Sequence, residues 1–390
     1  MGTLTSRVPA VSPNRPAPVE FPYLDLCAQF QSIREEVLEA ISRVMESQHF
    51  ILGSEVEQFE TEIGTALGAR YAVSCGSGSD ALTLAMLAVD IGPDDEVITT
   101  PFTFFATAGS IARAGARPVF VDIDPDTFNI LPAALEAAIT PRTRAIIPVH
   151  LFGLPADTDP ILDLANKHAL VVIEDAAQAI GARYKGRTVG SLGTVGCFSF
   201  FPSKNLGGAG DGGLITTDDR EIADRIRMLR VHGSKRKYHH EILGTNSRLD
   251  ALQAAILRVK LPHLDSWTKA RQAHAQRYRE LLEAANLTDH VYIPPTPNGS
   301  DRHVYNQFTV RFRSRDALKE YLGRNGVPTE IYYPLPLHLQ PAFQYLGNQH
   351  GQFPAAESAS REVLSLPVYP ELADWQQEMV VRGIASFYSH

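Results

Sequence analysis

Between residues 71 and 217 short β-rich runs alternate with helical stretches, and this alternation constrains the fold more than any other feature of the chain. The runs are YAVS (71–74), EVITT (96–100), RPVFVD (117–122), AIIPVH (145–150), LVVIED (170–175), CFSF (197–200) and LITT (214–217). Several are apolar at nearly every position, the pattern of strands buried on both faces. Helical stretches between them are expected over 80–89, 132–138 and 158–167. Strand and helix in alternation predict an α/β fold, a mostly parallel seven-stranded sheet covered by helices. In such sheets ligands bind beyond the carboxyl ends of the strands.

The flanking regions read differently. Ile33, Val37, Ile41 and Val44 recur at helical spacing, and a second helix is expected over 55–67. A long helical region is predicted over 248–285, then a turn or linker at PPTPNG (294–299). Beyond it come a strand over 305–312, a helix over 315–324, a strand near 329–332 and a final helix over 373–388. The expected division is a loose Pro- and Ser-containing arm over 1–20, a large α/β domain over 21–250, and a connecting helix with a small α+β domain over 251–390. The arm is expected to pack with the small domain.

The formal net charge of −8 argues against nucleic acid or an anionic membrane as partner. Cys27, Cys75 and Cys197 form no CxxC pair and read as small hydrophobes in a reducing cytoplasm. No apolar run approaches the ~20 residues of a membrane helix. The first twenty residues lack the apolar core of a secretory signal. No cluster has metal-ligand spacing, so no metal is expected.

Three segments carry chemistry. SCGSGSDALTLAM follows the run at 71–74 and opens a helix. Gly76 and Gly78 permit close approach of a ligand, and Ser77, Ser79 and the free N–H groups of the helix start suit an anion. The segment has neither a Walker lysine nor GxGxxG spacing. In VVIEDAAQAIGARY, Asp175 ends an apolar strand and points into the crevice above the sheet. A carboxylate there needs a cationic partner, such as a protonated pyridine nitrogen. The bland alternative is a helix N-cap for 176–180. Gln178 could reach the same ligand. In CFSFFPSKNLGGAGDGG, Lys204 leaves a buried strand into a glycine-rich loop. Such a lysine suits Schiff-base chemistry once its surroundings lower its pKa. A surface lysine at a strand end is the alternative, and the company of the other two segments weighs against it.

In this order, the motifs GSGSDAL, PFTFFAT, EDAAQAIGARY, FFPSKNLGGAGDGG and GTNSRLDALQAA resemble those of the DegT/StrS sugar aminotransferases, within fold type I of the pyridoxal-phosphate enzymes. The resemblance runs from about Tyr23 to Tyr388. It implies that Lys204 holds pyridoxal 5′-phosphate as a Schiff base and that Asp175 partners the pyridine nitrogen. Gln178 would contact the ring near its 3′-oxygen. Gly78 and Ser79 match the phosphate turn, where relatives often have Thr in place of Ser79, and Ser199 matches a second phosphate ligand. Phe104 matches the aromatic residue stacked on the ring. Asn246 matches an asparagine reaching the phosphate of the neighbouring subunit, which requires a homodimer.

The reaction implied is transfer of an amino group from an amino acid, glutamate, to a ketone of a nucleotide-linked sugar, with pyridoxamine 5′-phosphate as intermediate. A 3-keto dTDP- or UDP-sugar is expected ahead of a 4-keto one, in amino-sugar and polysaccharide biosynthesis. Tyr333 and His338 in EIYYPLPLHLQPAF, and residues of KRKYHHEILG, are expected to line the substrate pocket. Adjacent His239 and His240 are expected to diverge. The alternatives are a sugar dehydratase, which typically has histidine in place of the lysine, and a non-catalytic cofactor-binding regulator.

Overall fold

A computed structural model describes residues 21–295 and 300–389. The predicted arm over 1–20 and most of the PPTPNG turn lie outside them. The chain opens with helices α1 (Leu26–Ser32), α2 (Arg34–Ser47) and α3 (Ser54–Leu67). Helix α2 buries Val37, Ala40 and Val44, on the stripe its spacing predicts.

Seven strands follow: β1 (Tyr71–Cys75), β2 (Glu96–Thr99), β3 (Arg117–Phe120), β4 (Thr143–Ile146), β5 (Val171–Asp175), β6 (Val195–Ser199) and β7 (Gly213–Thr217). They form one sheet in the order β1-β7-β6-β5-β4-β2-β3. Only β7 runs against the others. Helices α4 (Gly78–Ala88), α5 (Phe105–Arg113), α6 (Thr158–His168) and α7 (Arg220–Leu229) cover it. One core packs α4 and α7 on one face, around Val73, Leu84, Ile147 and Ile226. The opposite face packs Phe59, Phe198, Phe200 and Leu257. All six parallel strands therefore end on the same edge of the sheet.

The helical region after the sheet is not continuous. It comprises α8 (Ala251–Lys260), a 3-10 turn at Leu261–His263, and α9 (Leu264–Ala284). Pro262 lies in that turn, where it removes a backbone donor and resists an unbroken helix. A second core joins α9, α10 (Arg315–Arg324) and α12 (Asp374–Tyr388) to a three-stranded sheet of β8 (Val291–Tyr292), β9 (Phe308–Phe312) and β10 (Val363–Leu366), in that order. Phe21 and Leu24, at the start of the described chain, pack into the same core.

Three local expectations are corrected. Residues 132–138 form two 3-10 turns, Pro132–Ala134 and Glu136–Ala138, rather than one helix, with Leu135 buried between them. Near 329–332 there is only a single bridge, Glu330 to Ser365; the strand is β10, preceded by α11 (Pro354–Glu362). The run at 305–312 enters the ladder only at Phe308, since Tyr305 turns the chain with φ 44°. No helix among the described residues is long and apolar enough to cross a membrane.

Strand β5 ends in two carboxylates that point to opposite faces. Glu174 is fully buried. Its Oε1 accepts the N–H groups of Leu192 (2.8 Å) and Gly193 (2.7 Å), and its Oε2 accepts that of Gly190 (2.7 Å). His150 Nδ1 accepts the Ala156 N–H at 3.0 Å, so its Nε2 carries the proton and donates to Glu174 at 3.0 Å. Glu174 thus replaces water for the Gly190, Leu192 and Gly193 amides. Glu174→Leu should cost about 3–5 kcal/mol of unfolding free energy, because it strands several buried donors at once. A loss below about 1 kcal/mol in chemical denaturation would contradict this account.

Candidate active site

At the carboxyl edge of the sheet lies a cavity of about 450 Å³. Its walls come from the residues just after β1, β2, β5 and β6. Lys204 enters from the loop after β6. That loop is built on glycine: a Cβ on Gly207 would sit 2.3 Å from the Pro202 carbonyl oxygen, so the chain could not double back otherwise. The Lys204 amine has no hydrogen bond or ion pair among the described residues; burial pushes its pKa down to about 8, with the Asp175 charge opposing.

Asp175 faces the same cavity and is 6% exposed. Burial pushes its carboxyl up, while donors and the Lys204 charge pull it back. The donors are the Thr107 hydroxyl, 2.7 Å from Oδ2, and the Ala177 N–H, 3.2 Å from Oδ1. The second is the cap-like contact of the bland alternative, but 176–180 is a series of turns rather than a helix. Thr103 supports Thr107 at 3.0 Å and must donate, since Thr107 has given its proton to Asp175. Gln178 accepts the Phe152 N–H at 2.7 Å and donates to the Tyr333 hydroxyl at 3.0 Å.

The start of α4 lines the same cavity. Ser77 caps the helix, its Oγ accepting the Asp80 N–H at 3.1 Å. The amides of Gly78 and Ser79 belong to the first turn and have no partner within the helix. A Cβ on Gly78 would lie 2.7 Å from that of Ser199, so only glycine lets the hydroxyl of Ser199 approach the helix start. Phe104 is 57% exposed at the mouth, its ring 6.2 Å from that of Tyr333.

Most of the predicted residues meet here: Lys204, Asp175, Gln178, Gly78, Ser79, Ser199, Phe104 and Tyr333 line one cavity. Two do not. His338 is buried outside it, bonded through Nε2 to Glu357 at 3.1 Å and packed on Phe353. The 3-10 turn Leu337–Leu339 carries it inward, so the expectation of a substrate contact is corrected. Asn246 is exposed and outside its own chain's cavity. Its neighbour Ser247 accepts the Gly76 N–H at 3.0 Å and donates to Asp80 at 2.9 Å, which ties this segment to the α4 start. The hairpin of Ser234–Arg236 and His239–His240 is largely exposed and also lies outside.

Sequence reasoning missed Thr107, Thr103, Ser203 and Gln307. Thr103 and Thr107 stand four residues apart, both within the PFTFFAT stretch, and that spacing was the available signal. The site fits pyridoxal 5′-phosphate on its own chemistry. It has hydroxyls and free amides for a phosphate, a buried carboxylate short of cations for a pyridinium, and an unpartnered amine of lowered pKa in the same cavity.

The architecture, with its ligand cavity at the strand ends, defines the class: an aminotransferase of the α/β fold type I kind. More narrowly, the chain belongs to the DegT/DnrJ/EryC1/StrS aminotransferase family, whose pattern it matches over residues 31–385. It is 56% identical to the pleiotropic regulatory protein of Geobacillus stearothermophilus, across 95% of this chain and 99% of that one. It is 49% identical to the UDP-N-acetyl-3-dehydro-alpha-D-glucosamine 3-aminotransferase of Acidithiobacillus ferrooxidans (91% and 94% covered). It is 46% identical to the dTDP-3-amino-3,4,6-trideoxy-alpha-D-glucose transaminase of Streptomyces venezuelae (93% and 95%). Among solved structures, DesV of S. venezuelae with a ketimine intermediate superimposes with a TM-score of 0.92 at 45% identity, covering 95% and 99% of the two chains. The ntda structure from Bacillus subtilis, with bound cofactor PMP, gives 0.88 at 34% identity, covering 97% of this chain and 87% of that one.

A lowered lysine pKa has a kinetic signature. A free lysine is half neutral only at 10.5, whereas Lys204 reaches that point near 8. The rate at which cofactor-free protein forms a borohydride-reducible bond to pyridoxal phosphate should rise with pH to about 8 and then level off. A rate still climbing past pH 10, or a reducible bond in Lys204→Ala, would assign the chemistry to another group.

Proposed function

We propose that this chain moves an amino group from L-glutamate to a keto carbon of a nucleotide-linked sugar, with pyridoxal 5′-phosphate as cofactor and pyridoxamine 5′-phosphate as its aminated form. The observation that carries this reading is the convergence of Lys204, Asp175 and the open start of α4 on one cavity. The proposal places the enzyme in the cytoplasm, in amino-sugar and polysaccharide biosynthesis; the unpaired thiols of Cys75 and Cys197 suit a reducing compartment. Relatives at 49% and 46% identity are named for nitrogen at sugar carbon 3, which supports a 3-keto over a 4-keto acceptor.

When bound, the cofactor supplies an electron sink for the carbanion left as the amino-bearing carbon loses its proton. Lys204 would hold the cofactor covalently between turnovers, and its Nζ, when free, would take and return the proton, a role for which a pKa near 8 is suited. Asp175 accepts the ring N–H, and the donors Thr107 and Ala177 favour its ionised form. Gly78, Ser79 and Ser199 bind the phosphate, and Phe104 covers the ring. Gln178 donates to the Tyr333 hydroxyl, and both residues line the cavity.

The site is proposed to be shared between two chains. Lys204 is the only lysine or arginine in the cavity lining among the described residues. A sugar diphosphate and a dicarboxylate donor both need cations. Lys235, Arg236 and Lys237 stand exposed on the hairpin that leads to Asn246. A two-fold dimer would bring them, with Asn246, to the neighbour's cavity.

A second reading, a regulatory protein, is favoured by the name of the 56% identical relative. Lys204 and its supporting groups argue for turnover instead. Glutamate should bleach the visible band of the holoprotein, and a 3-keto dTDP- or UDP-sugar should restore it, with kcat/KM at least about tenfold above that of 4-keto isomers. Bleaching without restoration by any nucleotide sugar would refute the acceptor. No bleaching by any amino acid would favour the regulator.

Subunit mixing checks the shared site. Asn246→Ala and Lys204→Ala chains should each be nearly inactive alone. Their heterodimer contains one site with both defects and one with neither, so activity should partly return. Demonstrated exchange without recovery, or an active monomer, would refute sharing.

A further inference from the structure

Asp175 is held by more than its own strand. The Thr107 hydroxyl donates to its Oδ2 at 2.7 Å and the Ala177 N–H to its Oδ1 at 3.2 Å, so each carboxylate oxygen has its own anchor and the group resists rotation. Thr107 is fully buried, and the hydroxyl of the nearly buried Thr103 lies 3.0 Å from its own. Because Thr107 gives its proton to the carboxylate, Thr103 donates to the Thr107 oxygen and keeps it turned that way.

Both hydroxyls come from the entry to α5. The helix begins at Phe105, which puts Thr107 in its first turn and Thr103 just ahead of it. That turn holds no acidic residue, and Phe104 at the cap makes no side-chain hydrogen bond. The positive end of a helix favours a negative charge within its first turn. The carboxylate bonded to this one is Asp175, 68 residues away in sequence.

We infer that Thr107 is a positioning residue for the reaction: braced by Thr103, it sets the direction and the charge with which Asp175 meets the ring nitrogen of the cofactor. This rests on the pyridoxal-phosphate reading proposed above and deepens it, since it assigns the preparation of Asp175 to α5. The sign of the effect follows from the surroundings. Burial raises the Asp175 carboxyl, and the Thr107 bond is the foremost influence that lowers it, ahead of the Ala177 N–H and the charges of Lys204 and His150. Tyr333 and Cys197 also lie within reach of its charge, and Glu174 turns to the opposite face. A change at 107 leaves all of these in place, so loss of the hydroxyl moves the carboxyl upward.

The test measures binding of pyridoxamine 5′-phosphate to cofactor-free protein by calorimetry, beside its 1-deaza analogue, in which a ring C–H replaces the nitrogen. Thr107→Val should weaken the first ligand about tenfold at neutral pH and leave the analogue within about twofold. It should also move the acid limb of the pyridoxamine phosphate affinity to higher pH. In the holoprotein, bleaching of the visible band by glutamate should slow about tenfold or more. Thr107→Ser keeps the donor and should bring each quantity back to within about threefold. Because valine strands the Thr103 hydroxyl, the double variant Thr103→Val with Thr107→Val is measured alongside; it removes both partners, and the selective loss of the nitrogen-containing ligand should persist. Equal weakening of both ligands with an unmoved acid limb would make Thr107 structural. Undiminished binding and bleaching in Thr107→Val, or no recovery in Thr107→Ser, would overturn the inference as well. Wild-type protein that binds the two ligands equally would remove Asp175 as partner of the ring nitrogen, a failure of the underlying reading that shows before any variant is made.

Discussion

Two consecutive carboxylates at the end of β5 must be taken out of water, and the rest of the site is arranged around how differently they are compensated. Glu174 receives three backbone N–H groups and the His150 proton, so its charge is satisfied within the fold. Asp175 receives one hydroxyl and one N–H, and burial still raises its pKa. Strand alternation makes this division possible, since neighbours on a strand face opposite sides of the sheet. One side chain secures the turn at 190–193. The other is left under-compensated in a cavity, where a cationic ring nitrogen would complete it.

Lys204 is the counterpart to that deficit. A charged amine is disfavoured in the cavity by burial and favoured by Asp175, and burial prevails. Desolvation thus moves the two groups toward their neutral forms together, although each charge favours the other. The hydroxyl of Thr107 biases the pair, because it lowers the carboxyl without acting on the amine. Helix α5, which opens within the PFTFFAT motif, therefore takes part in the electrostatics of the site through Thr107.

The sheet was legible because its strands are apolar on both faces and interrupted by glycine and polar turns. All seven runs became strands, with ends shifted by a few residues. Helix α5 gave a weaker signal: FATAGSIAR is mostly small residues, with a glycine at 109 that lets the Phe105 ring lie against the helix. Within the site, Lys204, Asp175 and the α4 start stood out because a charged or glycine-rich stretch beside an apolar strand is uncommon. Thr107 did not, since its importance depends on a contact 68 residues away in sequence. His338 drew attention as an imidazole among prolines, but the core supplied its partner, Glu357. Gln307 carries no local signature at all.

That contrast between His338 and Gln307 has a common physical cause. Both are polar side chains on segments that pack against the sheet edge, and both must exchange water for something. His338 Nε2 meets a carboxylate from α11, so the histidine is held in the interior. Gln307 lies where β9 has not yet begun, because Tyr305 turns the chain and Arg271 holds its carbonyl. One residue later, Phe308 is in the ladder and its backbone is paired. The delay of three residues in starting β9 places Gln307 in the cavity lining instead of in the ladder. Sequence periodicity predicts a strand over 305–312 because the apolar residues fit it. The structure uses the first part of that run to turn the chain at Tyr305 and to border the cavity with Gln307 before the ladder begins.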